Sequence, residues 1–402
     1  MQDVIVVGAG PAGLCTALAL AERGVPNTLI AAPHRPAGDK PDTRTAALFN
    51  PSIQLLRNIG VWNAVVEHCA PLAAIRLIDD TAAIFRAPEL TFHASEIAEA
   101  VFGFNVPQVR LLAALNAKAQ DAAAVRIVES AGVRDFSIGE DLVTLHLAEG
   151  DSLDARLVIA ADGRNSLARR AAGISVKESP CNQTAVACAF WHQRDHQSVS
   201  TEFHRRAGPM TVVPMPGRAS SLVWVERPET AARLGAMDDK EFARNLQRNL
   251  QGLLGEIAQV GPRVLFPLSH MTAAAMGRNR IALIGEAAHA MPPIGAQGLN
   301  LSLRDAAVVA EIAGEALQAG NDPGSPFCLG AYQDARLPDA KERSFAVGSL
   351  NAALISGLIP VQLARGAGLH LINAVPPLRR RLMHLGLAPR GPLPPLMRRE
   401  TL

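Results

Sequence analysis

The chain has 402 residues, a length that suggests two or three domains. Apolar residues make up 49% and charged residues 19%, which excludes a disordered or fibrous chain, and no 18-residue apolar run escapes a polar or proline interruption. Lys and Arg number 39 against 37 Asp and Glu, and a formal charge of +2 excludes the basic footprint of a general nucleic-acid binder.

In chain order, residues 3–7 form an apolar run expected as a buried strand. Residues 11–23 form an Ala-rich helix ending at Gly24, and 26–31 a second strand, together one βαβ unit of a parallel sheet. Between 181 and 228 the pattern shifts to short β-type segments (AVACAFWH, TVVPM, SLVWVE) separated by Gly, Pro and Ser, which predicts an antiparallel sheet. From 280, the strand-like RIALIG leads through a Gly/Pro-rich loop into the helix-like LSLRDAAVVAEIAGEAL. Residues 344–402 carry seven Arg (365, 379, 380, 381, 390, 398, 399) and one acid, Glu400, so this end is basic while the rest of the chain is acidic. Cys15, Cys69, Cys181, Cys188 and Cys328 form no CxxC pair, which suits reduced thiols. With no basic leader ahead of Asp3, the expectation is a cytoplasmic protein.

The segment Gly8-Ala9-Gly10-Pro11-Ala12-Gly13 is a GxGxxG placed between strand and helix, the context that gives the pattern meaning. Gly8 permits the tight turn, Gly10 lets a pyrophosphate approach the main chain, and Gly13 lets helix and strand pack closely. The helix N-terminus then offers free N–H groups and a partial positive charge to phosphates. The acid expected for ribose hydroxyls is absent, because the second strand ends in Leu29-Ile30-Ala31-Ala32-Pro33; Asp39 and Asp42 follow in a Pro-rich loop. Either another group holds that ribose or the adenosine end is bound less tightly.

A second motif, Val158-Ile159-Ala160-Ala161-Asp162-Gly163-Arg164, is an apolar strand ending in an Asp-Gly turn. A third, Ile281-Ala282-Leu283-Ile284-Gly285-Glu286-Ala287-Ala288-His289, runs on through Pro292-Pro293-Ile294-Gly295-Ala296-Gln297-Gly298-Leu299-Asn300 into a helix. In this order the three motifs resemble the FAD-dependent aromatic hydroxylases of the para-hydroxybenzoate hydroxylase class, over nearly the whole chain. Within that class the sequence is most similar to the ubiquinone-biosynthesis hydroxylases. The likeness rests on Asp42-Thr43-Arg44-Thr45-Ala46-Ala47-Leu48, on Gly208-Pro209 to Pro214 with Leu222-Val223-Trp224, on Gln297-Gly298-Leu299-Asn300-Leu301 with Leu303-Arg304-Asp305, and on Pro376-Pro377-Leu378 and Pro395-Leu396-Met397-Arg398.

The resemblance implies an α/β fold: a discontinuous Rossmann-like FAD-binding domain (1–75, 100–180, 269–343), an inserted antiparallel β-sheet substrate domain (76–99, 181–268) and a C-terminal helical, basic region (344–402). It implies FAD as cofactor, NAD(P)H or another donor as reductant, and hydroxylation of an aromatic ring through a flavin hydroperoxide. Gly8, Gly10, Pro11, Ala12 and Gly13 would hold the pyrophosphate. Glu286, after Gly285 and where the family has Asp, would bond the ribityl hydroxyls, since either carboxylate accepts two hydrogen bonds. Arg44, Gln108 and Asp162 are carried over as cofactor contacts. Main-chain N–H groups at Leu299 and Asn300, after Gly298, would face the pyrimidine edge of the ring. The family often has Gly at the position of Ala296.

No catalytic acid or base is assigned; Pro293, Gly295 and Gln297 of the flavin loop are nearest the chemistry, and His289 reads as structural. No metal-site spacing and no GxSxG elbow occurs. The substrate is expected between loop 293–297 and a sheet face carrying Val186, Met210, Val212 and Trp224. Residues 344–364 carry no charge and precede Arg379, Arg380 and Arg381, which suits a segment lying on an anionic membrane surface or on a partner in a quinone-biosynthesis complex. A polyprenylated phenol and O2 are then the substrates. A soluble small-phenol hydroxylase, or a non-catalytic member of such a complex, are the alternatives.

Overall fold

The computed structural model describes residues 2–33, 43–81, 87–355, 359–387 and 392–399. An eight-stranded sheet carries the parallel succession Val125–Glu129, Asn27–Ala31, Gln2–Val7, Ser152–Ala160 and Ile281–Leu283. Its register aligns Val6 with Leu29 on one side and Ile159 on the other. A parallel strand covered on both faces has no polar side to offer, which is why Val4, Ile5 and Val6 run without alternation and are fully buried. The chain leaves Gln2–Val7 for neighbours on opposite sides, so a crevice opens at the carboxyl ends of these strands, where ligands bind such sheets.

A nine-stranded sheet is built mainly from Ala74–Asp79, Leu90–His93, Val176–His192, Val199–His204, Met210–Met215, Ala219–Glu226 and Val264–Ala273. Most neighbours are antiparallel, and only Val199–His204 beside Ala74–Asp79 is parallel. Helices Pro228–Ala236 and Asp239–Asn249 cover one face through Leu234, Phe242 and Leu246. Asp238 caps the second helix by accepting from the Glu241 N–H at 2.8 Å. A three-stranded sheet (Thr45–Phe49, Gly103–Pro107, Ala70–Leu72) joins the two large ones.

Helices Gln297–Gln318 and Pro326–Ile355 close the molecule; the Tyr332 hydroxyl donates to the Leu283 carbonyl at 2.8 Å, tying the second to the parallel sheet. Helices Ile359–Ala374 and Pro376–Leu387 follow. Among the described residues no helix is long and apolar enough to cross a membrane, and no group of three or more His, Cys, Asp or Glu could hold a metal ion. All five cysteines are free; burial pushes the Cys69 and Cys188 thiols up to about 12 and the Cys15 thiol higher still.

Candidate active site

At the first turn, backbone approaches backbone more closely than any side chain would allow. Gly8 adopts φ +105°, and a Cβ there would lie 2.4 Å from the Ala161 carbonyl oxygen; a Cβ on Gly13 would lie 1.8 Å from the Gly8 carbonyl oxygen. Gly10 is different: it is exposed, and a Cβ would meet nothing within 4 Å. It precedes helix Pro11–Glu22 with no side-chain cap, Pro11 occupying the first turn, where a missing N–H costs nothing. Pro11 and Ala12 are half-buried, so the free N–H groups of this turn and the positive end of the helix look onto open space.

The second motif meets the first at Ala161, whose N–H donates to the Val7 carbonyl at 2.8 Å. Asp162 Oδ2 accepts from the N–H groups of Leu167 and Ala168 at 2.8 and 3.2 Å. Its Oδ1 is buried without a partner among the described residues, an acceptor that a ligand hydroxyl or N–H would satisfy. Arg169, which the motif reading missed, donates to the carbonyls of Arg164 and Ala287 at 2.9 and 2.8 Å and so locks the second motif to the third. Its sequence signal is a guanidinium in the run Leu167-Ala168-Arg169-Arg170-Ala171.

The third motif folds against the other two. A Cβ on Gly285 would sit 3.3 Å from the Ala12 Cβ and 3.2 Å from Ser302 Oγ, between the two helices that open on the crevice. Glu286 is exposed, and its carboxylate has no partner among the described residues. His289 is buried with Nε2 2.6 Å from Asp305 Oδ2, an oxygen that also accepts from the Gly285 N–H at 3.2 Å. Arg336 Nε donates to Asp305 Oδ1 at 2.8 Å and Arg336 Nη1 to Asp339 Oδ2 at 2.8 Å; Arg304 joins at Asp339 Oδ2 at 2.5 Å and Arg343 at Oδ1 at 3.0 Å. Burial alone would raise the Asp305 carboxyl, but His289 and Arg336 outweigh it and hold it below the usual carboxylate range.

Arg343 carries the network to the flavin loop by donating to Gln297 Oε1. Gln297 Nε2 donates to the Gly295 carbonyl at 2.8 Å and the Gly386 carbonyl at 3.3 Å, so helix Pro376–Leu387 is fastened to the loop. Ala296, ahead of helix Gln297–Gln318, adopts the left-handed φ of +54°. Asn300 is saturated: Oδ1 accepts from Phe49 N–H and Ser52 Oγ at 2.9 and 2.8 Å, and Nδ2 donates to the Ala47 and Ala296 carbonyls at 2.8 and 2.7 Å. Gly298 is exposed, with open space where a Cβ would project, and Leu299 and Pro293 are half-buried. The Gln108 N–H donates to the Arg44 carbonyl at 3.0 Å, which puts Arg44 and Gln108 side by side at the end of the three-stranded sheet. Asp39 and Asp42 lie outside the described residues.

The substrate-face assignment needs correction. Val186, Met210, Val212 and Trp224 are at most 3% exposed and pack with Leu234, Phe242 and Leu246 against the covering helices, on the side away from the flavin loop. Alternation gives the other face to their neighbours. Ser221 on that face accepts from Thr45 Oγ1 at 2.7 Å and Asn105 Nδ2 at 3.3 Å, so this face turns toward the nucleotide domain. Thr211, Val213 and Val223, on central strands, are half-exposed there and therefore look onto open space. A separate cleft of about 1290 Å³ opens between Lys177, Gln183, His270, Phe345, Asn351 and Pro292, where the flavin loop begins.

Open backbone at Gly10 and Gly298, the unpaired Asp162 Oδ1 and the unpartnered Glu286 carboxylate fit a ligand with a diphosphate, a hydroxylated chain and a polar ring edge, the chemistry of FAD. The FAD binding domain family model matches residues 1–343. The chain is 33% identical to the ubiquinone hydroxylase UbiL of Rhodospirillum rubrum, over 99% of this chain and 93% of that protein. It is 27% identical to the 3-demethoxyubiquinol 3-hydroxylase of Escherichia coli, over 96% of this chain and 98% of that protein. The fold is shared with the p-nitrophenol 4-monooxygenase PnpA of Pseudomonas putida, at a TM-score of 0.77 and 20% identity over 97% of this chain and 99% of that one. A dinucleotide crevice and a match along almost its whole length place this chain in the family of FAD-dependent ubiquinone-biosynthesis hydroxylases, flavoprotein monooxygenases that act on an aromatic ring.

Proposed function

We propose that the chain hydroxylates a polyprenylated phenol whose ring enters between the flavin loop and the inner face of the nine-stranded sheet, and whose chain is delivered from an anionic lipid surface. Bound FAD supplies the redox chemistry, accepting electrons from NAD(P)H and activating O2. The first-turn N–H groups after Gly10 hold the diphosphate, with Pro11, Ala12 and Gly13 setting the turn. Asp162 Oδ1 and Glu286 accept hydroxyl hydrogens, and Arg44 and Gln108 stand beside the cofactor. The N–H groups at Leu299 and Asn300 orient the ring's polar edge, while Pro293, Gly295 and Gln297 wall the reacting side and exclude water. These roles assign 1–75, 100–180 and 269–343 to FAD, 76–99 and 181–268 to substrate, and 344–402 to surface docking.

One observation carries the lipid reading. Leu371, Leu382 and Leu385 are exposed on the last two long helices and Val375 at their junction, beside exposed Arg380 and Arg381, while Met383 faces inward onto Phe49, Ala94 and Phe102. Outward apolar side chains with adjacent cations suit an anionic interface. Cosedimentation with phosphatidylglycerol vesicles, compared with phosphatidylcholine, tests this. Binding to the anionic vesicles that is lost in R380E/R381E supports it. A chain that stays in the supernatant with both lipids moves the docking role to a protein partner in a quinone-biosynthesis complex.

A further inference from the structure

A buried acid and a buried imidazole sit together on the inner face of the nine-stranded sheet. Glu202 and His204 are 7% and 3% exposed on strand Val199–His204, with His204 Nε2 2.9 Å from Glu202 Oε1. With Glu202 a carboxylate, that contact puts a proton on His204 Nε2, which donates to Glu202 Oε1. Glu202 Oε2 accepts from Thr211 Oγ1 at 3.3 Å. Phe203, between them, packs into the helix-covered core, so Glu202 and His204 lie on the opposite face. That is the face of Ser221, which touches the nucleotide domain, and of Val213 and Val223, which with Thr211 look onto open space.

The surrounding charges are engaged elsewhere. Arg205 bonds Asp80 and Asn249, Asp79 accepts from Thr81 and the Ala87 N–H, and Arg76 pairs with Glu89. A buried carboxylate and imidazole contribute little to stability that an apolar pair would not, so their presence calls for another explanation.

We propose that Thr211, Glu202 and His204 form the proton-accepting chain for the phenolic substrate. Thr211 meets the phenol, Glu202 takes the proton, and His204 is a positioning residue that holds the carboxylate. The phenol O–H passes its proton to Thr211 Oγ1 while Thr211 passes its own to Glu202 Oε2. Phenolate and a neutral Glu202 carboxylic acid form, the Thr211 hydroxyl is restored, and His204 keeps its Nε2 proton. The phenolate ring is the more electron-rich acceptor for an electrophilic oxygen, and the proton returns along the same chain when the hydroxylated product regains its phenol. The sequence hides this chain because Glu202, His204 and Thr211 belong to two strands and are brought together only by their register.

The inference rests on the substrate being a phenol, and the test keeps the two apart. Full-length FAD-loaded wild type, E202Q and T211V are assayed with NADH, O2 and 2-(3-methylbut-2-enyl)phenol across a pH series, scoring NADH consumed and hydroxylated product formed. Both variants are expected to lose about a hundredfold in product rate near neutral pH. Raising the pH toward the phenol's own ionisation should restore product, because the substrate then arrives as phenolate. H204Q, whose amide can still reach Glu202, is expected to lose less and to recover in the same range. Variants that hydroxylate like wild type, or whose loss persists at high pH as a folding defect would, overturn the proposal. A wild type that forms no product at any pH removes the prenylphenol reading, and this chain with it.

Discussion

The turn at Gly8–Gly13 and the inner face of the nine-stranded sheet solve opposite problems. At the turn the surface is main chain: Gly10 is open, and Gly8 and Gly13 leave no room even for a methyl group. At the sheet the surface is side chain, and Thr211, Val213 and Val223 are distinguished from Met210, Val212 and Trp224 only by which way the strand turns them. A site made of backbone is written in residue type. A site made on a strand is written in parity, and a one-residue shift inverts it.

The largest effect expected from that contrast is at Trp224. Trp224→Ala should cost about 3–5 kcal/mol in urea unfolding, as a cavity beside Phe242, and should leave the KM for a phenol unchanged in the folded fraction. Val223→Phe should do the reverse: a small change in stability and a shift in preference toward smaller ring substituents. If Trp224→Ala changes substrate preference and Val223→Phe does not, the two faces have been exchanged.

Asp305→Asn should cost about 3–5 kcal/mol near neutral pH, because it leaves the buried Arg336 short of a charge partner. Asp305 is held below its ordinary value of 3.8, so the stability it contributes is fully present above that pH and is lost as pH falls below it. The gap between wild type and variant should therefore be constant from neutral pH down to that value and narrow below it. A gap that grows on acidification would contradict the assignment.

At the turn, Gly13→Val should cost about 3 kcal/mol by overpacking and abolish the flavin absorbance of the purified protein. Gly10→Val should leave the unfolding midpoint nearly unchanged while weakening FAD binding at least about tenfold, seen by titration of FAD fluorescence. Equal loss of stability in both would mean that Gly10 serves packing and not ligand access. The smallest effect is at Ala296: Gly there should relieve a left-handed conformation and stabilise the protein by up to about 1 kcal/mol, with NADH oxidation retained.

Much of the nucleotide half was legible because its signals are local. The expected strand 3–7, helix 11–23 and strand 26–31 correspond to Gln2–Val7, Pro11–Glu22 and Asn27–Ala31, and the short β-type segments all fall within strands. The inner sheet face was not legible: Val186, Met210, Val212 and Trp224, expected on it, pack into the helix-covered core on the other side. An apolar side chain is at home on either face, and only the hydrogen bonds from Thr45 and Asn105 to Ser221 show which face meets the three-stranded sheet. Arg169 and the chain from Asp305 to Gln297 were equally hidden, since their partners are separated by up to 118 residues and are joined only by packing.

The buried thiols bear on how long such a protein lasts. Thiolate, not thiol, is the form that peroxide oxidises, and at neutral pH a group whose ionisation is pushed up to about 12 exposes on the order of one thiolate in 10⁵. Cys69 and Cys188, with Cys15 still more strongly protonated, are thus chemically quiet inside an enzyme that works with O2. Burial closes Cys328 to peroxide as well, and Cys181 is the one cysteine of the five that is not buried, so access decides the order and mass spectrometry after peroxide exposure should find the first sulfinic acid at Cys181.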